Sequence, residues 1–271
     1  IDMNACKGKD CNECIKACPY DAIDLDMQPS SVTAEVSSIV WATGWQPFDP
    51  TEVDIYGFGK YKNVITSLMM ERIASLNGPT GGKILRPSDN NEPKRVAFVQ
   101  CAGSRDENHL NYCSAVCCLA SMKHASYLRS QYPDTDITVF YIDVRSPGRL
   151  EDFYTKMQND EKVTFRRGKV ADITEDPQTN NLIIRAEDTL TGTVLEETVD
   201  LVVLAVGLVP NTKDTPPPVD VPLDDFGFII QNGKTSGIFG AGTATRPMEV
   251  AASIRDGMSA ALKAFQVTIK E

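Results

Sequence analysis

Two kinds of apolar pattern alternate along the chain. Residues 95–100 (RVAFVQ), 137–142 (ITVFYI) and 199–205 (VDLVVLA) are nearly continuous apolar runs. They read as strands buried on both faces, the pattern of a parallel sheet covered on each side. Between the first two, residues 114–129 place apolar or small side chains at Val116, Leu119, Ala120, Met122, Ala125 and Leu128, and Pro133 follows. That spacing predicts a helix, and with its flanking strands a βαβ unit. Residues 163–167, 169–175 and 181–186 alternate apolar with polar positions and predict antiparallel strands, with Thr191-Gly192 as a turn. Residues 37–42 (SSIVWA) and 237–242 (GIFGAG) predict short strands ending in glycine turns, and residues 248–265 predict a long alanine-rich helix. The segment 210–222, containing Pro216, Pro217 and Pro218, reads as a crossover linker.

A near-repeat organises these elements. The first short strand runs into Thr43-Gly44 with Pro47 beyond, and the strand at 199–205 runs into Val206-Gly207 with Pro210 beyond. Two strand–Gly–x–x–Pro units suggest two related nucleotide-binding-like lobes. GIFGAG followed by a helix would either offer backbone N–H groups to a phosphate or simply close a Rossmann sheet. The βαβ unit departs from the Rossmann pattern where G-x-G-x-x-G is expected between strand and helix. There the chain carries Cys101-Ala102-Gly103-Ser104-Arg105, then an insert reaching Cys113, Cys117 and Cys118. Thiols stand where a dinucleotide phosphate would bind. Asp143, at the end of the next strand, occupies the place of an acidic ribose ligand, although the enlarged loop alters the spacing.

Composition narrows the classes. A chain of 271 residues with 42% hydrophobic and 24% charged residues is that of a soluble globular protein of one large or two ordinary domains. A net charge of −10 without a basic stripe excludes nucleic acid and anionic lipid as partners. No apolar run is long enough to span a bilayer, so any membrane attachment would come through another protein of a complex. The first residue is Ile1 and the cysteines begin within six residues of it, which reads as a piece lacking an upstream portion.

All 8 cysteines fall into two groups of four. Cys6, Cys11, Cys14 and Cys18 form C-x4-C-x2-C-x3-C-P, close to the bacterial ferredoxin run. Short spacings let one loop wrap a cluster at small loop-closure cost. Structural zinc is the competing reading, since C-x2-C pairs also build four-cysteine zinc sites. In two-cluster ferredoxins the fourth cysteine of such a run serves the other cluster, so Cys18 completes its own cluster only if no second run shares it. Cys101, Cys113, Cys117 and Cys118 are either a second cluster site or buried structural thiols. On a helix from 114, Cys113 and Cys117 would share a face, Cys101 would approach from the strand end, and Cys118 would be turned by about 100°. Disulfides do not fit a chain without a secretory signal.

Taken together, the Ala-Thr-Gly strand, the inserted lobe, the second strand–Gly–x–x–Pro and GIFGAG with its closing helix resemble the thioredoxin-reductase-like flavoproteins. More narrowly, the first cysteine run with VQCAGSR and YCSAVCC resembles the A subunits of heterodisulfide reductase and the A and B subunits of the quinone-interacting membrane-bound oxidoreductase. The resemblance implies an α/β, two-lobed, thioredoxin-reductase-like Rossmann-type (FAD/NAD(P)-binding-like) fold with a small ferredoxin-like insert. It implies a [4Fe-4S] insert at 1–28, part of an FAD-binding domain at 29–92, a second Rossmann-like lobe with an atypical cluster at 93–212, and a return to the FAD-binding domain at 213–271. It implies two [4Fe-4S] clusters on the two cysteine groups and FAD held near Thr43, Gly44, Gly207, Gly242 and Thr243. It implies no catalytic residue of its own, heterodisulfide-reductase-like or membrane-bound quinone-interacting subunits of an electron-transfer complex as partners, and a cytoplasmic location, either free or at the inner face of the membrane through a partner subunit. The N-terminal G-x-G-x-x-G of that family is absent, and Thr243 stands where many relatives carry Asp.

The function so implied is electron relay in a multi-subunit oxidoreductase. A pyridine-nucleotide disulfide reductase using Cys113, Cys117 and Cys118 is the rival, but it lacks a C-x-x-C in that group and an intact dinucleotide loop. A zinc-stabilised structural module is a third reading. His109 is a surface residue or a cluster neighbour, and His124 lies in the helix; neither forms a catalytic pattern. Arg105 and Arg246 flank the cofactor turns and would meet phosphate or flavin charge, or make surface ion pairs.

Overall fold

The computed structural model describes residue 2, residues 4–231 and residues 237–270. The chain divides into two compact units, Ile1–Val36 and Ser37–Glu271. The first contains one turn of 3-10 helix, Gly8–Asp10, and one short helix, α1 (Glu13–Ala17). None of its described residues is fully buried. Gly8, Asn12 and Asp21 take left-handed conformations, and exposed ion pairs join Lys9 to Asp26 and Lys16 to Glu13. A segment this short, with no hydrophobic core, has little intrinsic means of holding its fold.

The second unit begins with β1 (Ile39–Trp41), β2 (Trp45–Pro47), β3 (Val64–Thr66) and α2 (Ser67–Ala74). Thr66 caps α2, its Oγ1 accepting from the Met69 N–H at 3.2 Å. There follow β4 (Arg95–Ala102), α3 (Cys117–Gln131), β5 (Asp136–Tyr141), α4 (Glu151–Gln158) and β6 (Val163–Arg167). Next come β7 (Val170–Glu175), β8 (Leu182–Asp188), β9 (Thr193–Val199), β10 (Leu201–Val206) and β11 (Leu208–Pro210). The unit closes with β12 (Ile238–Gly240) and α5 (Val250–Lys270).

The centre is a five-stranded parallel sheet in the order β3-β10-β4-β5-β6. Its inner strands are mainly apolar because both faces are covered. Ala97, Val99, Val202 and Leu204 pack towards the antiparallel meander β7-β8-β9, against Ile173, Leu182 and Ile184. The alternate residues Val96, Phe98, Leu201 and Val203 pack towards the helices, against Met70, Met122 and Leu128. Fully burying each such side chain contributes about 1.5–3 kcal/mol. Outside this sheet β1 pairs with β12 in parallel, and β2 pairs with β11 antiparallel. No helix among the described residues is long and apolar enough to cross a membrane.

Three expectations need correction. β6 is not antiparallel; it is the edge strand of the parallel sheet, with Ile137 opposite Val163. Half-burial at a sheet edge produces the same alternation as a meander strand, and helix α4 supplies the crossover that the pattern alone did not mark. The antiparallel group is completed instead by β9. Helix α3 starts at Cys117, not at residue 114, because Ala115 is left-handed (φ 65) and Ser114 is held elsewhere. Finally, α5 starts and ends later than the alanine-rich pattern suggests.

Candidate metal centre

The second cysteine group sits where β4 leaves the sheet. Leu204 lies opposite Val99 and Val206 opposite Ala102, so β4 carries one extra residue there. This bulge coincides with Cys101, which is buried and left-handed at φ 57. Bulges re-aim side chains at the ends of strands. Gly103 (φ 76) and Arg105 (φ 53) continue the turn. A Cβ on Gly103 would meet the Phe48 ring at 2.3 Å, so glycine is required by space as well as by dihedral angle.

The insert folds back on this turn. The Leu110 N–H donates to Gly103 O at 3.0 Å, and the Arg105 N–H to Tyr112 O at 3.1 Å. Ser104 and Ser114 hydroxyls meet at 3.1 Å, and Ser114 Oγ accepts the Leu208 N–H at 2.8 Å. Gly207 packs directly against this pair. The brace returns the chain to the start of α3, where Cys117 and Cys118 occupy the first turn. Cys117 Sγ lies 3.5 Å from Val206 O, and Cys118 Sγ lies 3.8 Å from Asp143 O. Cys113 is outside the helix, so it does not share a helical face with Cys117. It is half-buried, and its Sγ accepts the Ala115 N–H at 3.4 Å.

The thiols feel one another. Burial first, then the neighbouring Cys118 and Cys113, push the Cys101 thiol up to about 11. Burial likewise raises Cys117, with Cys101, Cys118 and Cys113 adding to it, and burial followed by Cys113 raises Cys118. One buried and three half-buried thiols beside a helix start are poorly suited to free thiolate chemistry but well suited to a bound cation or cluster, whose positive charge reverses these shifts. Among the described residues no three Cys, His, Asp or Glu side chains yet converge on a single point. The four thiols lie within electrostatic reach of one another, and in donor type and neighbourhood they fit an iron–sulfur group, whose ligands stand apart around a cluster instead of meeting at one ion.

Around this group stand Arg105, Asp143 and Arg145. Arg105 Nη1 lies 2.6 Å from Asp143 Oδ1, and Arg145 Nε lies 3.6 Å from the same oxygen. A cavity of about 470 Å³ opens beside Cys113, lined also by Ala115, Arg145, Ser146 and Pro147. His109 bonds Asp106 and Glu52 O, each at 3.3 Å, and abuts the Phe48 ring, bracing the insert. His124 lies in the core, 2.6 Å from Glu71 Oε2.

In the first unit, Cys6 precedes the 3-10 turn, Cys11 closes it, Cys14 lies within α1 and Cys18 closes α1. Cys6 Sγ accepts the Gly8 N–H at 3.3 Å, and Cys18 Sγ accepts the Ala22 N–H at 3.4 Å. Backbone N–H groups of Ala22, then Tyr20 and Asp21, hold the Cys18 thiol below its ordinary value. Such N–H···S bonds suit a ligating thiolate, and a coreless loop bearing four sulfurs fits a group that holds it from within.

The two near-repeats clasp each other: β2 and β11 pair with Gln46 opposite Val209, and Asn211 Nδ2 donates to Thr43 O at 2.7 Å. Gly44 is left-handed at φ 76. At the last turn the Gly242 N–H donates to Asp256 Oδ2 at 2.8 Å, while Thr243 is half-buried and Arg246 exposed. The Glu249 carboxylate accepts the Ala251 and Ala252 N–H groups at the start of α5. Two carboxylates thus occupy the amides that a phosphate would need. The turn is therefore poorly suited to an anionic phosphate, whereas a hydroxyl can donate to Asp256. Sequence reasoning missed Asp256; its only signal was being the one acidic residue of α5.

The chain is 45% identical over 256 residues to the second iron-sulfur A subunit of the CoB–CoM heterodisulfide reductase of Methanopyrus kandleri, covering 90% of this chain and 39% of that protein. It is 38% identical over 282 residues to the A subunit of the H2:CoB-CoM heterodisulfide,ferredoxin reductase of Methanothermobacter marburgensis, covering 100% and 42%. The chain belongs to the family of heterodisulfide reductase A subunits. A third relative, the iron-sulfur A subunit of the CoB–CoM heterodisulfide reductase of Methanocaldococcus jannaschii, is 40% identical over 274 residues, covering 96% and 41%. The chain thus spans about two fifths of the length of these relatives of the family. No protein-family model matches it. Among solved structures, thioredoxin reductase of Lactococcus lactis aligns with a TM-score of 0.55 at 17% identity, over 86% of this chain and 67% of that one. The T. acidophilum thioredoxin reductase aligns at 0.54 and 17%, over 86% and 66%. The fold of this heterodisulfide reductase relative is the thioredoxin-reductase-like α/β fold expected from the sequence.

Proposed function

We propose that this chain is an electron-relay part of a heterodisulfide-reductase-type oxidoreductase complex. One [4Fe-4S] cluster would be held by Cys6, Cys11, Cys14 and Cys18, and a second by Cys101, Cys113, Cys117 and Cys118. FAD would lie against Thr43, Gly44, Gly242 and Thr243, with Asp256 meeting its hydroxyls. The observation that carries the reading is the second thiol group, gathered by a bulged strand end and a helix start. Clusters exchange single electrons and a flavin one or two, so together they join hydride-type chemistry to single-electron flow. The chain's own residues bury Cys101, half-bury Cys113, Cys117 and Cys118, and supply N–H donors to Cys6, Cys18 and Cys113. A dithiol reductase is less well supported: its nucleophile needs a depressed thiol pKa, and burial raises Cys117 instead. Partner subunits would carry the substrate chemistry.

The test is iron and acid-labile sulfide per chain after anaerobic purification or reconstitution. About eight of each supports two clusters. About four returns one group to thiol chemistry. Stoichiometric zinc without iron overturns the reading.

A further inference from the structure

We infer that Arg105 and Asp143 form a fixed charge pair that tunes the reduction potential of the group on Cys101, Cys113, Cys117 and Cys118, Arg105 favouring its reduced form and Asp143 opposing it. The inference rests on the proposed cluster at these four cysteines.

The pair is anchored by the fold at a partly exposed site, the Asp143 side chain being 47% exposed. Arg105 stands four residues past Cys101, in a left-handed conformation (φ 53) pinned by its N–H bond to Tyr112 O. Its side chain is 24% exposed and reaches Asp143 Oδ1 at 2.6 Å. Asp143 follows β5, the neighbour of β4 in the sheet, so the two charges meet at adjacent strand ends. The backbone of Asp143 faces Cys118 Sγ, and Arg145 Nε approaches Asp143 Oδ1 from the side of the cavity that Cys113 lines. The immediate charge set is therefore Arg105, Asp143 and Arg145, one more cation than anion.

One-electron reduction adds a negative charge to the cluster, and the protein tunes potential through nearby charge, hydrogen bonds and burial. A guanidinium cannot shed its charge by deprotonating, so its effect is constant across working pH. Removing it should make reduction harder. Removing the carboxylate should make reduction easier, both by deleting a negative charge and by releasing Arg105 from neutralisation.

The experiment is an EPR-monitored redox titration of the whole chain, purified anaerobically and first assayed for iron and sulfide. The second-site signal is assigned as the one that survives Cys11→Ser and disappears in Cys101→Ser. Arg105→Gln should lower the reduced-to-oxidised ratio at fixed poise about tenfold, which for one electron is about 59 mV. Asp143→Asn should raise that ratio, and Arg105→Lys should stay close to wild type. Unchanged potentials at wild-type iron content, or shifts of the same sign in both variants, overturn the inference, because general loosening of the loop cannot yield opposite signs. If Arg105→Gln fails to load iron, the sign in Asp143→Asn decides. Iron that does not depend on Cys101 removes the cluster reading itself, and this inference with it.

Discussion

Replacing Gly207 with alanine tests how the second thiol group is held. Gly207 needs no left-handed conformation, so the penalty is steric alone. A Cβ there would lie 2.3 Å from Ser104 Oγ, 2.6 Å from Leu110 Cδ1 and 3.1 Å from Ser114 Oγ. All three neighbours are buried, at 2%, 3% and 1% exposure, so none can swing into solvent. Overpacking a close-packed site costs about 1–3 kcal/mol. Parting the Ser104–Ser114 pair adds about 1 kcal/mol, the usual net worth of one hydrogen bond. The expected loss is about 2–4 kcal/mol, or a fall in Tm of about 6–12 °C for a unit of this size. The assay is urea unfolding followed by circular dichroism, with the slope compared as well as the midpoint. Gly192→Ala is the control: its φ is 69 with no atom within 4 Å of the new Cβ, so only the dihedral penalty of about 1 kcal/mol applies. Combining Gly207→Ala with Ser104→Ala should recover part of the loss, since the two changes share one contact. A loss below about 0.5 kcal/mol for Gly207→Ala, or no recovery in the double variant, refutes the brace.

Three further outcomes follow from other parts of the molecule. Cys101→Ser should remove about four irons per chain and Cys11→Ser a different four, whereas equal loss of all iron from either would mean one shared site. Burial holds His124 below its ordinary 6.5, against the partial offset from Glu71, so the unfolded chain binds more protons as pH falls through about 6.5. Stability should therefore decline from pH 7.5 to 5.5, and His124→Phe, which keeps a ring against Phe98, should flatten that decline; equal slopes in urea midpoint would contradict it. Asp106 is held down at about 2, first by Lys169 and then by the Asn108 N–H, with His109 adding a bond. Its contribution is present above the unfolded carboxylate pKa and is lost as pH falls through about 2, so Asp106→Asn should cost about 1–2 kcal/mol at pH 7 and little at pH 2. A pH-independent difference between the two proteins would rule this out.

The strand runs at 95–100 and 201–205 were legible because burial on both faces demands continuous apolar sequence, whatever the neighbours, whereas Val199, which the pattern joined to the second run, ends the antiparallel β9 instead. The second cysteine group was legible as a departure from the Rossmann phosphate loop. β6 was misread because an edge strand and a meander strand share one alternation, and only the register with β5 separates them. The helix at 114 was placed too early because apolar spacing is blind to a left-handed Ala115 and to a serine committed to Leu208. Asp256 escaped notice because its partner, Gly242, is reached only after α5 folds back on the turn.

By itself, then, the sequence determined the residue types, their local spacing and the kind of chemistry: eight thiols in two groups, apolar strands, and a dinucleotide loop filled with sulfur. Those properties are carried by neighbours along the chain. The tertiary structure alone decided that β4 bulges at Cys101, that Arg105 meets Asp143 across adjacent strand ends, and that Gly207 closes against two serines from a distant insert. Each is a contact between segments far apart in sequence, so it depends on which strands pair and in what register, and no local pattern specifies that.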